Sequence, residues 1–204
     1  WAGLADEQHG YLNDFWERAD VELTGDPQLQ LAVRYALFQC LQAGARGEQR
    51  AIGAKGLTGP GYDGHTFWDT EQFVLRMLTY TTPHAAADAL RWRHATLDMA
   101  RQRAQQLGLD GAAFPWRTIR GHECSAYWPA GTAAFHIGAD IADAVTRYHA
   151  ATEDVAFERE VGVELLVETA RLWRSLGGYE PLGQFRIDAV KGPDEYSAIA
   201  DHNG

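Results

Sequence analysis

Apolar residues recur at helical spacing along most of the chain. A helix reads from about residue 6 to 18, before a break. Asp26 and Pro27 pair an N-cap residue with proline at the first helical position, which is a helix-start signal. Leu29, Val33, Leu37, Cys40 and Leu41 then mark one face to about residue 43, and Gly44 and Gly47 end it. The same periodicity predicts helices over 67–80, 83–107, 132–151 and 154–176. Between them, 46–66 holds Gly47, Gly53, Gly56, Gly59, Gly61 and Gly64 with Pro60, which forbids a regular element. Residues 108–130 form a second loop and 177–204 a third, where Phe185-Arg-Ile-Asp188 alone reads as a strand.

The fold class is therefore all-α, with helices joined alternately by short and long loops. A plain bundle wants short connections throughout. Long loops gathered at one end to build a site are the mark of a helical-hairpin barrel. A helical-repeat array would show a fixed period, and the chain shows none.

Composition narrows the partners. A net charge of -10 over 204 residues argues against a nucleic-acid surface and against an anionic membrane. No run approaches the roughly 18–20 apolar residues of a membrane helix, and the first residues lack a signal-peptide pattern. Two cysteines, Cys40 and Cys124, are too few for a disulfide framework, and a cytoplasmic setting is the default. Cys40 reads as a small core residue. The eight histidines make no His-x-x-Glu-His or Cys/His cluster, so no metal is expected. No glycine-rich nucleotide loop follows a strand, and no cofactor is expected. Arg91, Arg93, Arg101 and Arg103 share one predicted helix and read as a solvated face.

The candidate chemistry lies in the loops. Aromatic residues make up 11% of the chain, and several sit in glycine-rich polar stretches. Such rings suit the apolar faces of a pyranose as well as they suit a core. Gly61-Tyr-Asp-Gly-His-Thr-Phe-Trp-Asp-Thr-Glu71 packs three aromatics, His65 and three carboxylates into a loop-to-helix junction. Asp69 and Glu71 fit a helix start with favourable charge placement. That does not account for Trp68 beside Asp69, the pairing that holds a sugar by ring face and hydroxyls. Gly192-Pro-Asp-Glu-Tyr196 places Glu195 in a loop, where a proton donor and a plain surface turn are both open readings.

Four stretches occur in order: Gly64 to Glu71, the loop with Pro115, Trp116 and Glu123, Phe135-His-Ile-Gly-Ala-Asp-Ile141, and Gly192 to Tyr196. Together they resemble the central catalytic region of glycoside hydrolase family 65, from about Gly10 onward. That family holds maltose, kojibiose, nigerose and trehalose phosphorylases and some α-glucoside hydrolases. The resemblance implies a six-hairpin (α/α)6 barrel and inverting cleavage of an α-glucosidic bond. It implies Glu195 as general acid, with Trp68 and Asp69 around the attacked glucose and His65, Trp116 and Glu123 as further substrate-binding residues. Gly138 departs from the Asn that relatives often carry, which leaves His136 and Asp140 without an assigned role.

The resemblance also implies that 1–204 is one domain, the N-terminal to middle part of the barrel. An N-terminal β-sandwich, the rest of the barrel and the phosphate-binding loop would lie outside it. A part-barrel leaves apolar faces open, so self-association as a homodimer is an expectation. The partner is a small-molecule sugar, joined by inorganic phosphate as co-substrate if the reaction is phosphorolysis. Phosphorolysis and hydrolysis stay open, with phosphorolysis favoured because no second catalytic carboxylate is evident. The rival reading is a non-catalytic carbohydrate-binding helical protein.

Overall fold

In the computed structural model, which describes residues 1–44, 49–126, 131–194 and 199–201, the chain is mostly helical. Helix α1 (Ala2–Ala19) packs Phe15 and Ala19 on Leu41 of α2 (Pro27–Gly44), a small cluster apart from the main core. The α2 start is as the sequence implies: Asp26 Oδ1 accepts from the backbone N–H groups of Gln28 and Leu29, both at 3.0 Å. Its apolar stripe is less buried than the spacing suggests. Leu29 and Leu31 stay exposed, and Cys40 is only half-buried, burial pushing its thiol up.

The main core gathers α3 (Leu75–Thr81), α4 (Pro83–Ala95), α6 (Ile137–Thr152) and α7 (Val163–Leu176) around Leu78, Leu90, Ile137, Ile141 and Leu165. Each of these side chains is fully buried, worth about 1.5–3 kcal/mol apiece against exposure. Helix α5 (Leu97–Gln106) follows α4 directly.

Several boundaries differ from the spacing, and α1 already starts at Ala2 rather than at about residue 6. The segment 83–107 is two helices, divided at Thr96, whose φ of −98° and ψ of 5° leave the helical range and whose N–H is shared between the carbonyls of Trp92 and Arg93. The helix expected from 67 begins as a π turn, Thr70–Val74, that feeds α3. A second π turn, Glu158–Gly162, precedes α7 after a short turn capped by Asp154, whose Oδ1 accepts from Phe157 N at 3.0 Å. The helix expected from 132 starts later, at Ile137. Of the strand-like run, Phe185–Ile187 forms β2, antiparallel to β1 (Gly177–Tyr179), which the spacing leaves as loop.

The arginine face is also corrected. Arg93 is completely buried, and its guanidinium grips Glu71 with two hydrogen bonds of 2.7 and 2.9 Å. Arg103 has 11% of its side chain exposed, donates to the carbonyls of Ala113 and Phe114, and holds Gly131. Arg101 does reach the surface, in a network with Asp98, Glu164 and Glu168. Periodicity averages over a face; it does not show a carboxylate waiting inside.

Candidate active site

The two long loops meet through a backbone bridge. Thr66 and Thr118 exchange hydrogen bonds of 2.8 and 3.2 Å, tying the glycine-rich segment to the Trp116 loop. Phe67 stands edge-on to Trp116 at 5.2 Å and to Tyr62 at 5.4 Å. Tyr62 and Asp63 turn the chain with positive φ, which sharpens the bend ahead of His65.

The bridge brings together a cleft of about 360 Å³ lined by Lys55, Tyr62, Trp68, Asp69, Trp116, Arg117 and Pro193, among others. That volume falls within the usual range of small-molecule sites. Trp68 and Asp69 line it together with Pro193, which is two residues before Glu195 in the chain. Glu195 itself lies outside the described residues.

The π turn directly follows the Trp68–Asp69 step. Glu71, two residues on, is locked by Arg93 of α4, and both side chains are 1% exposed. Asp69 is open to solvent along much of its surface. Even so, desolvation raises its carboxyl above the ordinary aspartate range, and the charge of Asp140 adds to the rise. Its own backbone N–H and His136 act the other way. His136 stands edge-on to Trp68 at 5.2 Å, and its Nδ1 lies 2.8 Å from Asp140 Oδ2.

The other expected residues divide. Trp116 lines the cleft; it is 9% exposed, and its Nε1 has no hydrogen-bond partner among the described residues. His65 is not among the residues that line the cleft; its Nδ1 lies 2.8 Å from the Tyr62 carbonyl and 3.3 Å from the guanidinium of Arg117, two residues that do line it. Glu123 is turned to its own loop. One oxygen accepts from Trp116 N at 2.6 Å, the other from Ser125 N at 2.8 Å, and Arg103 lies 3.5 Å away. In this arrangement Glu123 shapes the loop that presents Trp116.

Sequence reasoning passed over Arg117, Lys55 and Tyr62, which also line the cleft. Arg117 is next to Trp116 in the chain and Tyr62 lies within the glycine-rich motif, so adjacency was the available signal. Among the described residues no group of three or more His, Cys, Asp or Glu is placed to hold a metal, and no helix is long and apolar enough to cross a membrane.

Comparison with known proteins bears on this cleft. The glycosyl hydrolase family 65 central catalytic domain matches residues 34–204. An uncharacterized glycosyl hydrolase of Mycobacterium tuberculosis is 64% identical over 203 residues, covering 100% of this chain and 26% of that protein. The α,α-trehalose phosphorylase of Geobacillus stearothermophilus is 50% identical over 201 residues, covering 98% and 26%. A solved structure from the human microbiome, provisionally named a kojibiose phosphorylase, superposes with a TM-score of 0.91 at 34% identity, covering 100% and 27%. The chain thus spans about a quarter of the length of the relatives it matches.

Proposed function

The chain belongs to glycosyl hydrolase family 65, and on that premise we propose that the protein cleaves an α-glucosidic bond in a glucose disaccharide with inversion, by phosphorolysis. Its helices are those of the family's (α/α)6 barrel, and its two long loops meet at the site. The observation that carries the reading is the cleft lined together by Trp68, Asp69, Trp116 and Pro193.

In this reading Trp68 offers a ring face to the glucosyl unit and Asp69 accepts hydrogens from its hydroxyls. Trp116 and Arg117 line the same cleft, and His65 is hydrogen-bonded beside Arg117. Glu195 protonates the glycosidic oxygen while phosphate attacks the opposite face of the anomeric carbon, so the α-linked glucose leaves as a β-phosphate. Phosphate carries its own negative charge and needs donors rather than a base. A hydrolase would instead need a base-activated water, held between carboxylates roughly 6.5–9.5 Å apart. Trehalose is the first substrate to try, because the trehalose phosphorylases are 50% identical to this chain and the kojibiose phosphorylases 37–38%.

Glu195→Gln keeps the shape of the acid and removes its proton. Turnover of the disaccharide in the full-length protein is expected to fall about 10²–10⁴-fold. An aryl glucoside, whose leaving group needs less protonation, is expected to recover part of the loss. Near-normal disaccharide turnover in the variant sinks the assignment.

A further inference from the structure

Next to the cleft lies a second cavity of about 170 Å³, walled by Phe135, His136, Trp173, Lys191, Gly192 and Pro193 among its lining residues. Pro193 belongs to both cavities, and His136 stands against Trp68, so the smaller space adjoins the sugar site. Its volume is room for several waters or for one edge of a sugar ring.

His136 is bonded through one nitrogen only. Nδ1 meets the Asp140 carboxylate, and both side chains are 13% exposed. Nε2 is buried and has no hydrogen-bond partner among the described residues. Buried polar atoms are rarely left so, and each such atom calls for a cause. A carboxylate that accepts from Nδ1 fixes the proton there, which leaves Nε2 of the neutral ring as an acceptor. Asp140 follows His136 by one helical turn, so the pairing is built into the start of α6.

We propose that His136 is a substrate-contacting residue whose Nε2 accepts a hydrogen from a hydroxyl of the glucosyl unit held by Trp68 and Asp69. Asp140 is the positioning residue that sets its tautomer and ring plane. The inference rests on the sugar-cleaving reading above, and adds an acceptor next to Trp68.

Two substitutions separate this role from packing. Glutamine places its terminal amide near the Nε2 position, and asparagine places its amide near Nδ1. His136→Asn therefore keeps the Asp140 contact and loses the substrate contact, while His136→Gln does the reverse. In the full-length protein, kcat/KM on the preferred disaccharide is expected to fall on the order of 10–100-fold in His136→Asn, and less in His136→Gln. Substrates lacking single hydroxyls on the non-reducing glucose supply the second readout. One deoxy position is expected to penalise the wild type and to cost nothing further in His136→Asn, the non-additivity of a direct contact. Thermal melts of both variants report on folding.

The opposite order, with His136→Asn near wild type and His136→Gln impaired, assigns His136 to holding α6 and overturns the proposal. Deoxy penalties that persist unchanged in His136→Asn overturn it as well. A wild type that turns over no glucoside overturns the sugar-cleaving reading itself, and this inference with it.

Discussion

Asp69 is where the physical chemistry of the site is most exposed to test. Its carboxyl titrates above the ordinary aspartate range because desolvation and Asp140 both disfavour the charge. The folded chain therefore holds that proton more tightly than the unfolded chain does. Stability is lost as pH rises from the unfolded value through the folded one. Asp69→Asn removes the charge, so its melting temperature is expected to exceed the wild type's at pH about 7 and not at pH about 3, below the unfolded aspartate value. An equal difference at both pH values contradicts the account. In the proposed reading the same residue also binds the sugar: Asp69→Ala is expected to weaken glucose binding by about 1–3 kcal/mol, by titration of tryptophan fluorescence in the full-length protein. Unchanged affinity places the sugar elsewhere. The Trp68–Asp69 pair was legible in sequence because a helix start explains the carboxylate and not the indole. The role of His136 was not: its i,i+4 pairing with Asp140 can be read from spacing, but its stand against Trp68, 68 residues away in the chain, and its unpartnered Nε2 cannot.

At the scale of elements, the grip of α4 on the π turn is the feature the sequence hid. Glu71 and Arg93 are 22 residues apart in the chain, and the helical pattern assigned one to a helix start and the other to solvent. Breaking one half leaves a buried charge alone. Glu71→Gln or Arg93→Met is expected to cost about 3–5 kcal/mol in denaturant unfolding, while the double change Glu71→Leu with Arg93→Met recovers most of it. Single changes that cost no more than the double show that the pair is not coupled. Helix α6 offers the converse test. Gly138 lies in its first turn, and a Cβ there would meet Thr169 Cγ2 and Trp173 Nε1 at 3.6 Å, ordinary contact. Gly138→Ala is expected to stabilise by about 0.5–1 kcal/mol by the same measurement, since alanine restricts the unfolded chain. A destabilised variant shows that Trp173 cannot give way. Boundaries were read less well than elements. The break at Thr96 is a change of backbone dihedral at one residue that leaves the apolar spacing on either side intact, and β1 depends on a strand partner that lies past a turn.

Across the whole molecule, helix content and the loop-rich end were legible from periodicity and glycine spacing. The joining of the two loops was not. The Thr66–Thr118 bridge is a pairing of two backbones 52 residues apart, and no local pattern announces it. Once made, it brings Trp116 into the same cleft as Trp68 and Asp69, which Pro193 also lines. That convergence is what turns scattered aromatic motifs into one sugar-sized cleft. Its most direct test is to incubate the full-length protein with trehalose, maltose, kojibiose or nigerose, with and without inorganic phosphate, and follow the products by NMR. The account predicts β-glucose 1-phosphate from at least one disaccharide, trehalose first, and only when phosphate is present. No turnover of any of the four, an α-configured phosphate, or free glucose released at the same rate without phosphate contradicts it.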